Sequence, residues 1–539
     1  MKHLTFFLCL ILGSFQSIQS SEFFYDVVIY GGSSSGVIAA VQAAQMGKSV
    51  ALIEPKTHLG GITSNGLGWV DIFSHNIIGG LSREFFHRIW LHYQNDDSWI
   101  WEQKRLMRDQ SGMQHSVEKT LWVFEPHVAE NIFEQMIAEA KVQAYREERL
   151  DRKNGVIKKG NRIESIAMES GRIFHGRMFI DATYEGDLMA AAGVAYVVGR
   201  EANSTYKETM NGIQSNLRRT EMPKKLDGYV VKGIPERGLL PRVHQSAGGK
   251  DGEADKGVQA YNFRMCLTDV PSNRIMIGKP KDYNEADYEL VFRAIEAGIK
   301  KEKFFKLDLM PNRKTDSNNN GPISTDFIGM SWEYPEADYA KRKQIEQDHE
   351  NWQKGLVWTL QNHSRIPLVV KEYYAPWGLP KDEFVDNNNW PHQLYVREAR
   401  RMVSEVVITE LIALGKGPAY DCIAVGSYHL DSHYIKYCIA PDGFLITDGG
   451  LFKKVPAAFP ISYRSIIPFR EQCENLLVPI CLSATHVAYG SVRMEPVFMV
   501  IGQSAATAAC LAIDHQCALQ DLPYESLRQK LLSDQQVLK

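Results

Sequence analysis

Residues 31–36, GGSSSG, have the composition of a loop that binds the phosphates of a dinucleotide. In the usual fingerprint, G-x-G-x-x-G, the first glycine permits a tight turn, the second lets the backbone approach the pyrophosphate, and the third lets the helix pack closely. Gly31 and Gly36 hold the first and third places, but Ser33 stands in the second. Because a serine hydroxyl can donate to a phosphate oxygen and Gly32 can relieve local strain, we expect the loop to keep its ligand.

A carboxylate in the expected place supports a dinucleotide site. Glu54 ends the second predicted strand, where an acidic side chain accepts hydrogen bonds from ribose hydroxyls. A carboxylate there also repels the 2′-phosphate of NADP. The alternative is a coincidental α/β unit, since Gly/Ser-rich turns are common.

A second set of residues has the chemistry of an acid–base site. His429, Asp431 and His433 alternate in YHLDSHY, so they share one face if the segment is a strand. They can bind a metal ion, or act as a base with its orienting partner near a substrate C–H bond. A polar strand face with hydrogen-bonded histidines is the structural alternative. We favour His433 as the base and predict no metal site, because no convincing further ligand is present.

Four other side chains are additional candidates. Tyr463 and Arg464 in YRSIIP are suited to contact a substrate or a flavin, and His58 and His486 are histidines to which a flavin could be attached covalently. No C-x-x-C motif occurs in the sequence, which excludes the usual zinc clamp and the usual dithiol redox pair.

These residues need elements that bring them together. The hydrophobic pattern predicts a β-α-β unit, with a strand at 25–30, a helix at 36–46 and a strand at 49–53. The short apolar run that ends in MFIDAT is typical of a strand in a parallel sheet. Further helices are predicted over 125–140, 336–360 and 397–413. Near the C-terminus, EPVFMVI reads as a strand, followed by an alanine-rich helix that begins near Gly502.

The chain of 539 residues, 44% of them hydrophobic, is long enough for two or three domains. We predict a signal peptide at 1–20, a cofactor domain in two parts at 21–196 and 456–539, and an inserted substrate or cap domain at 197–455. The signal peptide predicts a secreted or periplasmic protein with no membrane span in the mature chain. A net charge of −3 gives no electrostatic footprint for nucleic acid or an anionic membrane.

The segment HLGGITSNGLGWVD after Glu54 adds a second glycine-rich loop, which a simple NAD enzyme does not need. With MFIDATYEGDLMAAAGVAYVVGREA, SYHLDSH and SVRMEPVFMVIGQSAATAACLA, the sequence resembles the secreted FAD-dependent oxidoreductases of the glutathione-reductase-like class, often found with polysaccharide-degradation genes. The segments span nearly the whole mature chain. Ser33 and Asn65 depart from the family pattern, which puts the approach of the phosphates in question.

The resemblance implies an α/β fold, with a Rossmann-like FAD-binding domain of the three-layer ββα type and an inserted mixed α+β substrate domain. It implies that FAD is contacted by residues of the two loops, namely Gly31, Gly32, Ser33, Ser35, Gly36, Glu54, Gly61, Thr63 and Ser64. Val142 would offer its backbone to the adenine, and Asp181, Ala182 and Thr183 would close the adenosine end. For Asp181 a helix cap or a turn residue is the structural alternative.

The alanine-rich C-terminal helix has an electrostatic interpretation. The positive end of a helix dipole at Gly502, Gln503, Ser504 and Ala505 would face the flavin N1–C2=O edge and stabilise the reduced, anionic flavin. Arg493 could stabilise the same charge, or form an ordinary surface salt bridge.

The predicted activity is hydride transfer from a substrate C–H bond to flavin N5, assisted by a base, and the family association suggests a carbohydrate or polyol substrate. The electron acceptor is left open. The alternatives are a carbohydrate-binding scaffold without catalysis, a flavin-using lyase or isomerase without net redox chemistry, and an NAD enzyme.

Overall fold

The computed structural model describes residues 21–72, 74–104, 118–215, 222–418 and 420–538. The predicted signal peptide at 1–20 lies outside the described residues. The described α-helices are α1 Ser34–Gln45, α2 Gly80–His92, α3 Pro126–Glu139, α4 Asp187–Ala191, α5 Asn203–Tyr206, α6 Glu289–Glu296, α7 Tyr339–Asn362, α8 Leu368–Tyr374, α9 Glu410–Ala413, α10 His486–Val492, α11 Glu495–Asp514 and α12 Tyr524–Ser533.

The described strands are β1 Glu22–Tyr30, β2 Val50–Ile53, β3 Gln143–Tyr145, β4 Val156–Lys159, β5 Arg162–Ala167, β6 Ile173–Asp181, β7 Tyr196–Val197, β8 Tyr229–Val231, β9 Ile234–Leu239, β10 Val243–His244, β11 Met265–Thr268, β12 Arg274–Ile275, β13 Asp308–Met310, β14 Lys314–Ser317, β15 Leu379–Pro380, β16 Arg401–Met402, β17 Cys422–Gly426, β18 Leu430–Ser432, β19 Lys436–Ile439, β20 Leu445–Asp448, β21 Leu451–Lys453, β22 Phe459–Ser462 and β23 Leu476–Leu477.

The largest sheet has seven strands in the order β3-β2-β1-β6-β5-β4, with β23 paired to β6. β1 runs parallel to both neighbours, so Ile29 pairs with Leu52 on one side and with Ile180 on the other. β5 runs antiparallel to β6, whereas β23 runs parallel to the last residues of β6. The carboxyl ends of β1, β2 and β6 therefore meet at one edge, where open α/β sheets bind ligands. The predicted Rossmann-like α/β class is confirmed.

The middle of this sheet is covered on both faces, which explains its sequence. The last four residues of β1, 27–30, and all four residues of β2, 50–53, are buried. Such strands are continuously apolar and do not alternate, as expected for a parallel sheet between layers of helices.

Helix α11 packs directly on α1. A Cβ atom on Gly502 would lie 2.3 Å from the Ser35 carbonyl oxygen, so the close approach of the two helices requires glycine there. Among the described residues, α11 is long and apolar enough to cross a membrane, but 94% of its most apolar window is buried inside the protein. It is a core helix of the fold.

Two predicted elements are wrong. EPVFMVI is not a strand: it forms the first two turns of α11, which begins at Glu495 with Pro496 in its first turn. Because the run is buried on all sides, its periodicity could not separate a helix from a strand. Residues 397–413 are not one helix either, since only β16 and the short α9 form there. The arginines of residues 397–413 form buried ion pairs with distant segments. These tertiary contacts, and not local helix propensity, determine the backbone conformation here.

The predicted helices over 125–140 and 336–360 are present as α3 and α7. Residues 197–455 form helices α5 to α9 and several small sheets. The link between β7 and β16 joins the start of this region to a segment 200 residues later, through the pair Val197–Arg401. The domain limits themselves stay predictions.

Candidate cofactor and catalytic site

The glycine-rich loop follows β1 and leaves no room for side chains at three positions. Gly31 has a φ of +107°, and a Cβ atom there would lie 2.6 Å from the Ala182 carbonyl carbon. A Cβ on Gly36 would lie 1.9 Å from the Gly31 carbonyl oxygen, and one on Gly32 would lie 2.9 Å from Glu54 Oε2. These are the tight turn, the close helix contact and the side-chain-free position that a phosphate-binding loop needs.

Ser33 is the N-cap of α1. Its Oγ accepts a hydrogen bond from Gly36 N at 3.3 Å and donates to the Ala182 carbonyl oxygen at 2.7 Å. The side chain is 3% exposed and is used to fasten the start of the helix. The departure from the fingerprint therefore has a structural role.

Glu54 lies at the end of β2 beside this loop. Its carboxylate accepts hydrogen bonds from Gly32 N at 2.6 Å and from Lys56 N at 2.7 Å. Burial raises the pKa of Glu54 to about 7, although both backbone donors act in the opposite direction. The carboxylate is placed at the sheet edge where a ribose is held in dinucleotide-binding folds.

The second loop is joined to the first through a residue that the sequence analysis missed, Glu495. This carboxylate accepts hydrogen bonds from three hydroxyls, Ser34 Oγ at 2.5 Å, Thr63 Oγ1 at 2.8 Å and Tyr184 OH at 2.9 Å. Glu495 is the first residue of α11 and Ser34 is the first of α1, so two helix starts and the loop at 61–64 meet here. Burial raises the pKa of Glu495. The sequence signal for it is Glu-Pro, a typical helix start.

The residues after β6 have structural partners. Asp181 accepts hydrogen bonds from the amide and hydroxyl of Thr183 and from Met189 N, so it caps the turn into α4, as its alternative interpretation proposed. Burial raises the pKa of Asp181 to about 6. The Ala182 carbonyl accepts from Ser33. Val142 donates its amide to the Ile137 carbonyl at 3.1 Å, at the turn before β3.

The remaining loop residues are packed closely. Gly61 has a φ of +56°, and a Cβ there would lie 2.4 Å from Tyr184 OH. Ser64 donates to the Leu59 carbonyl at 2.5 Å. The Ser35 hydroxyl faces α11: a Cβ on Gly502 of that helix would lie 2.6 Å from Ser35 Oγ.

The predicted helix N-terminus at residues 502–505 is wrong. Gly502, Gln503, Ser504 and Ala505 lie inside α11, whose N-terminus is at Glu495. Gln503 accepts from Leu81 N at 2.9 Å, and Ser504 donates to the Ile423 carbonyl at 2.8 Å. These four residues pack helices together and cannot direct a helix dipole.

His433 belongs to a buried chain of ionisable side chains. Its Nδ1 lies 2.7 Å from Asp326 Oδ2, and Asp326 Oδ1 lies 3.0 Å from Arg397 Nη1. Its other ring nitrogen, Nε2, lies 3.7 Å from Asp431 Oδ2, which in turn lies 3.4 Å from Arg493 Nη2. All five side chains are at most 5% exposed. The structure thus brings together His433, Asp431 and Arg493 of the predicted site and adds Asp326 and Arg397.

Tyr395 lies at the centre of three buried guanidinium groups. The Cζ atoms of Arg264, Arg397 and Arg493 lie 5.7, 4.7 and 5.7 Å from the centre of its ring. The Tyr395 hydroxyl also accepts from Arg493 Nη1 at 2.8 Å. Arg264 is held by Asp316, which accepts from Trp69 N at the end of the second glycine-rich segment. We call Tyr395, His433, Asp431, Asp326 and the three arginines the charge cluster.

Arg493 and Glu495 connect the two parts of the site. Arg493 is part of the charge cluster, and Glu495, two residues later in the chain, accepts hydrogen bonds from both cofactor loops. Arg493 is 4% exposed, so it is not the surface salt bridge that was its alternative interpretation.

The structure does not bring every predicted residue to this place. His429 precedes the three-residue strand β18 and packs on Phe452, the cross-strand partner of Asp431, with ring centres 4.4 Å apart, so it lies on the same strand face as Asp431. Burial lowers the pKa of His429. Arg464 pairs with Glu405 at 2.6 Å and with Asp421 at 3.2 Å, outside the charge cluster.

The other three candidates also have protein partners. Tyr463 donates to the Leu519 carbonyl at 2.9 Å. Both ring nitrogens of His486 are engaged, Nδ1 with Glu398 at 2.8 Å and Nε2 with Ser432 Oγ at 3.0 Å. Both ring nitrogens of His58 contact carboxylates.

The described residues fit an extended dinucleotide. Glycine stands where a side chain would collide, the first turn of α1 presents amide groups to the sheet edge, and Glu54 supplies one carboxylate. The second loop carries hydroxyls, and Glu495 places a second carboxylate next to it.

The sequence matches one known protein family. A sequence model of a protein family, described as FAD dependent oxidoreductase, matches residues 26–531. A search of curated proteins found no match.

Solved flavoenzymes overlap with part of the chain. L-amino acid deaminase from Proteus vulgaris is 13% identical over 34% of this chain and 54% of its own, with a TM-score of 0.23. L-proline dehydrogenase from P. horikoshii is 13% identical over 34% and 59%, with a TM-score of 0.23. A flavin-containing monooxygenase from Stenotrophomonas maltophilia is 17% identical over 34% and 44%, with a TM-score of 0.19. The chain spans about half the length of these structures.

Proposed function

Because the chain belongs to the FAD-dependent oxidoreductase family, its predicted cofactor and enzyme class are confirmed, and we propose that it oxidises a small carbohydrate or polyol by hydride transfer. Bound FAD supplies the two-electron acceptor for the hydride. The proposed reaction converts an alcohol carbon into a carbonyl, so the hydroxyl proton must pass to a base of the protein.

The two glycine-rich loops would hold the cofactor. Gly31, Gly32 and the first turn of α1 are suited to the pyrophosphate, and Glu54 is suited to the adenosine ribose. Thr63 of the second loop donates to the same Glu495 oxygen as Ser34 of α1, and we assign it to the flavin half.

His433 is the base in this proposal, and its pairing with Asp326 is the observation that carries it. Asp326 accepts from Nδ1 at 2.7 Å, which fixes the ring and assigns the basic position to Nε2. When Nε2 takes up a proton, Asp326 stabilises the imidazolium across the same short contact. Arg397 holds Asp326 in place from the other side, with Nη1 3.0 Å from Oδ1. A buried His–Asp pair of this kind is a common arrangement for proton transfer.

Arg493 and Tyr395 would orient the substrate beside the base. Arg493 donates to the Tyr395 hydroxyl and to the Asp431 carbonyl, so two donors and two acceptors are fixed in one buried region. Buried groups that pair with several substrate hydroxyls reject analogues that lack them, which suits a carbohydrate or polyol. The resemblance to oxidoreductases associated with polysaccharide degradation supports the same substrate class.

The direct test is anaerobic mixing of the purified, FAD-containing protein with sugars, polyols and amines, followed through the flavin absorbance. We expect sugars or polyols to bleach the flavin, and the protein to remain oxidised with amines. Bleaching by amines alone would contradict the substrate class. Turnover of a sugar with the flavin oxidised throughout would favour a lyase or isomerase.

We also propose that the protein is exported and reoxidised by a separate acceptor outside the cytoplasm. The support is the signal-peptide pattern of residues 1–20. Sequencing the N-terminus of the protein recovered from its natural source tests this: export predicts a mature chain that begins near residue 21, whereas an intact Met1 contradicts it.

A further inference from the structure

A cluster of two histidines and two carboxylates lies next to the cofactor loops but outside the proposed active site. The rings of His58 and His392 are stacked, with centres 3.7 Å apart and planes inclined by 20°. Both point Nε2 at one carboxylate: His58 Nε2 lies 2.8 Å from Asp386 Oδ2, and His392 Nε2 lies 3.2 Å from Asp386 Oδ1. His58 follows Glu54 in the chain, whereas Asp386 and His392 come from the inserted region, so two distant segments meet here.

The fourth residue, Glu130, determines which nitrogen of His58 is available. Its Oε1 lies 2.7 Å from His58 Nδ1 and accepts the hydrogen of that nitrogen. In the neutral ring, Nε2 then carries a lone pair. A lone pair and a carboxylate oxygen that face each other at 2.8 Å repel unless a cation lies between them. That cation is either a proton, which makes His58 an imidazolium, or a metal ion.

We propose that these residues form a divalent metal site, best suited to Zn²⁺, with His58 Nε2, His392 Nε2 and the Asp386 carboxylate as ligands. Two imidazoles and one carboxylate, with water in the fourth position, are a common ligand set for zinc. Zinc–nitrogen and zinc–oxygen bonds of about 2.1 Å at a tetrahedral angle place two ligand atoms roughly 3.4 Å apart. The His392–Asp386 separation of 3.2 Å is close to this value, and the His58–Asp386 separation must open by a fraction of an ångström. The stacked rings must also part on binding, because two imidazoles on one tetrahedral ion have their centres roughly 5 Å apart, whereas these lie 3.7 Å apart.

The surroundings suit an ion that enters from solvent. The side chains of His58, His392 and Asp386 are 20%, 15% and 59% exposed. Glu130 completes the carboxylate–histidine–metal arrangement that orients imidazole ligands in zinc proteins. In the part of the chain that the structure describes, no lysine or arginine nitrogen lies within ion-pair distance of Asp386.

A second cluster of similar composition shows what an occupied cation position looks like. Glu125, His127 and Glu383 also gather their ligand atoms, but Lys314 Nζ lies 2.9 Å from Glu125 and 2.6 Å from Glu383. The ammonium group already supplies the positive charge, and Lys314 is fully buried there. The Asp386 cluster has the same ligand types, but among the described residues no ammonium group pairs with Asp386: Lys56 Nζ instead donates to the His392 carbonyl at 3.4 Å and pairs with Glu346.

The site would act as a clamp on the second cofactor loop. The amide of His392 donates to Asn65 Oδ1 at 2.9 Å, and Asn65 Nδ2 donates to the Gly61 carbonyl at 2.8 Å. A metal bound to His392 and His58 would therefore fix both ends of the 58–65 segment to the inserted region. The inference is independent of the substrate proposed above.

The test is a titration of the chelator-treated, FAD-containing protein with ZnCl₂ in a calorimeter. We expect one zinc ion per chain and a higher melting temperature with zinc, because a ligand that binds only the folded state stabilises it. Asp386→Asn and His392→Gln should abolish this binding, and Glu130→Gln should weaken it by about 10- to 100-fold, as is usual when a carboxylate that orients a ligating histidine is lost. Each variant should keep its flavin absorbance, which shows that the fold is intact.

His127→Gln is the matched control, since it removes a histidine from the cluster already filled by Lys314 and should leave zinc binding unchanged. The proposal is overturned if the wild-type protein binds no zinc, which would leave His58 as a simple imidazolium. It is equally overturned if Asp386→Asn and His392→Gln bind zinc like the wild type, which would place the ion at other histidines.

Discussion

The cofactor loop and the charge cluster are built in opposite ways. The loop at 31–36, with Glu54, comes from one short stretch of chain, and its contacts are made largely by backbone groups and hydroxyls. The charge cluster gathers side chains from residues between Arg264 and Arg493, and its contacts are ion pairs and ring contacts between ionised or aromatic groups. The loop depends on the absence of side chains, whereas the cluster depends on their presence.

This difference predicts different kinds of failure. A side chain added in the loop collides with backbone, which cannot move away cheaply, so binding should fail as a whole. Exchange of His433 in the cluster leaves Asp326 paired with Arg397 and Asp431 paired with Arg493, so no buried charge loses its partner, and the fold and the cofactor should persist while the chemistry is lost.

The largest effect is expected for Gly36→Ala. The new Cβ would lie 1.9 Å from the Gly31 carbonyl oxygen, so either α1 or the loop must shift, and we expect protein without bound FAD. The flavin absorbance per protein chain measures this. Gly278→Ala is the control, because a Cβ there meets no atom within 4 Å and should leave FAD content unchanged. A Gly36→Ala protein with full FAD content would show that the loop is more tolerant than its geometry indicates.

The next effect is expected for His433→Asn. Asp326 keeps Arg397 as a partner at 3.0 Å, so we expect a folded, yellow protein. Its rate of flavin reduction by substrate should fall by roughly 10²- to 10⁴-fold, the usual contribution of general base catalysis. Stopped-flow absorbance under anaerobic conditions gives the rate.

His515→Asn, at the exposed end of α11, serves as the control for loss of a histidine elsewhere. A His433→Asn protein that reduces its flavin at the wild-type rate would remove the base from the charge cluster and return attention to His429 and Arg464.

The same contrast explains what the sequence could predict. The β-α-β unit and Glu54 were accessible because a glycine pattern and an apolar strand are local signals. Asp326 and Arg397 were not, because tertiary packing alone brings them to the site. Asp326 is 71 residues from Arg397 and 107 residues from His433 in the sequence. Glu495 and the start of α11 were missed for another reason. A run that is buried on every side has no hydrophobic periodicity, so the sequence does not show whether it is a helix or a strand.

A smaller effect is expected from pH, through Glu54. Burial raises the pKa of Glu54 to about 7 from an ordinary 4.5, so the cofactor-free protein loses stability as the pH rises from 4.5 through 7. Ribose hydroxyls donate to the ionised carboxylate, so FAD should bind more weakly below pH 7, by at most about tenfold per pH unit. Fluorescence titration of the apoprotein with FAD on either side of pH 7 measures the dependence.

Glu54→Gln should remove that dependence, because the amide does not titrate in this range. If the variant keeps the pH dependence of the wild type, another group controls it, and Asp181, whose pKa burial raises to about 6, is the first to test.

The smallest effects are expected at Ser33, where the loop departs from its fingerprint. Loss of an N-cap costs about 1 kcal/mol with alanine and only a few tenths with glycine. Ser33→Ala should therefore lower the melting temperature more than Ser33→Gly, and Ser33→Gly should bind FAD as tightly as the wild type or more tightly. If FAD affinity instead falls in both variants out of proportion to stability, the hydroxyl contacts the cofactor itself. Its hydrogen bonds to Gly36 and Ala182 would then describe only the protein without its ligand.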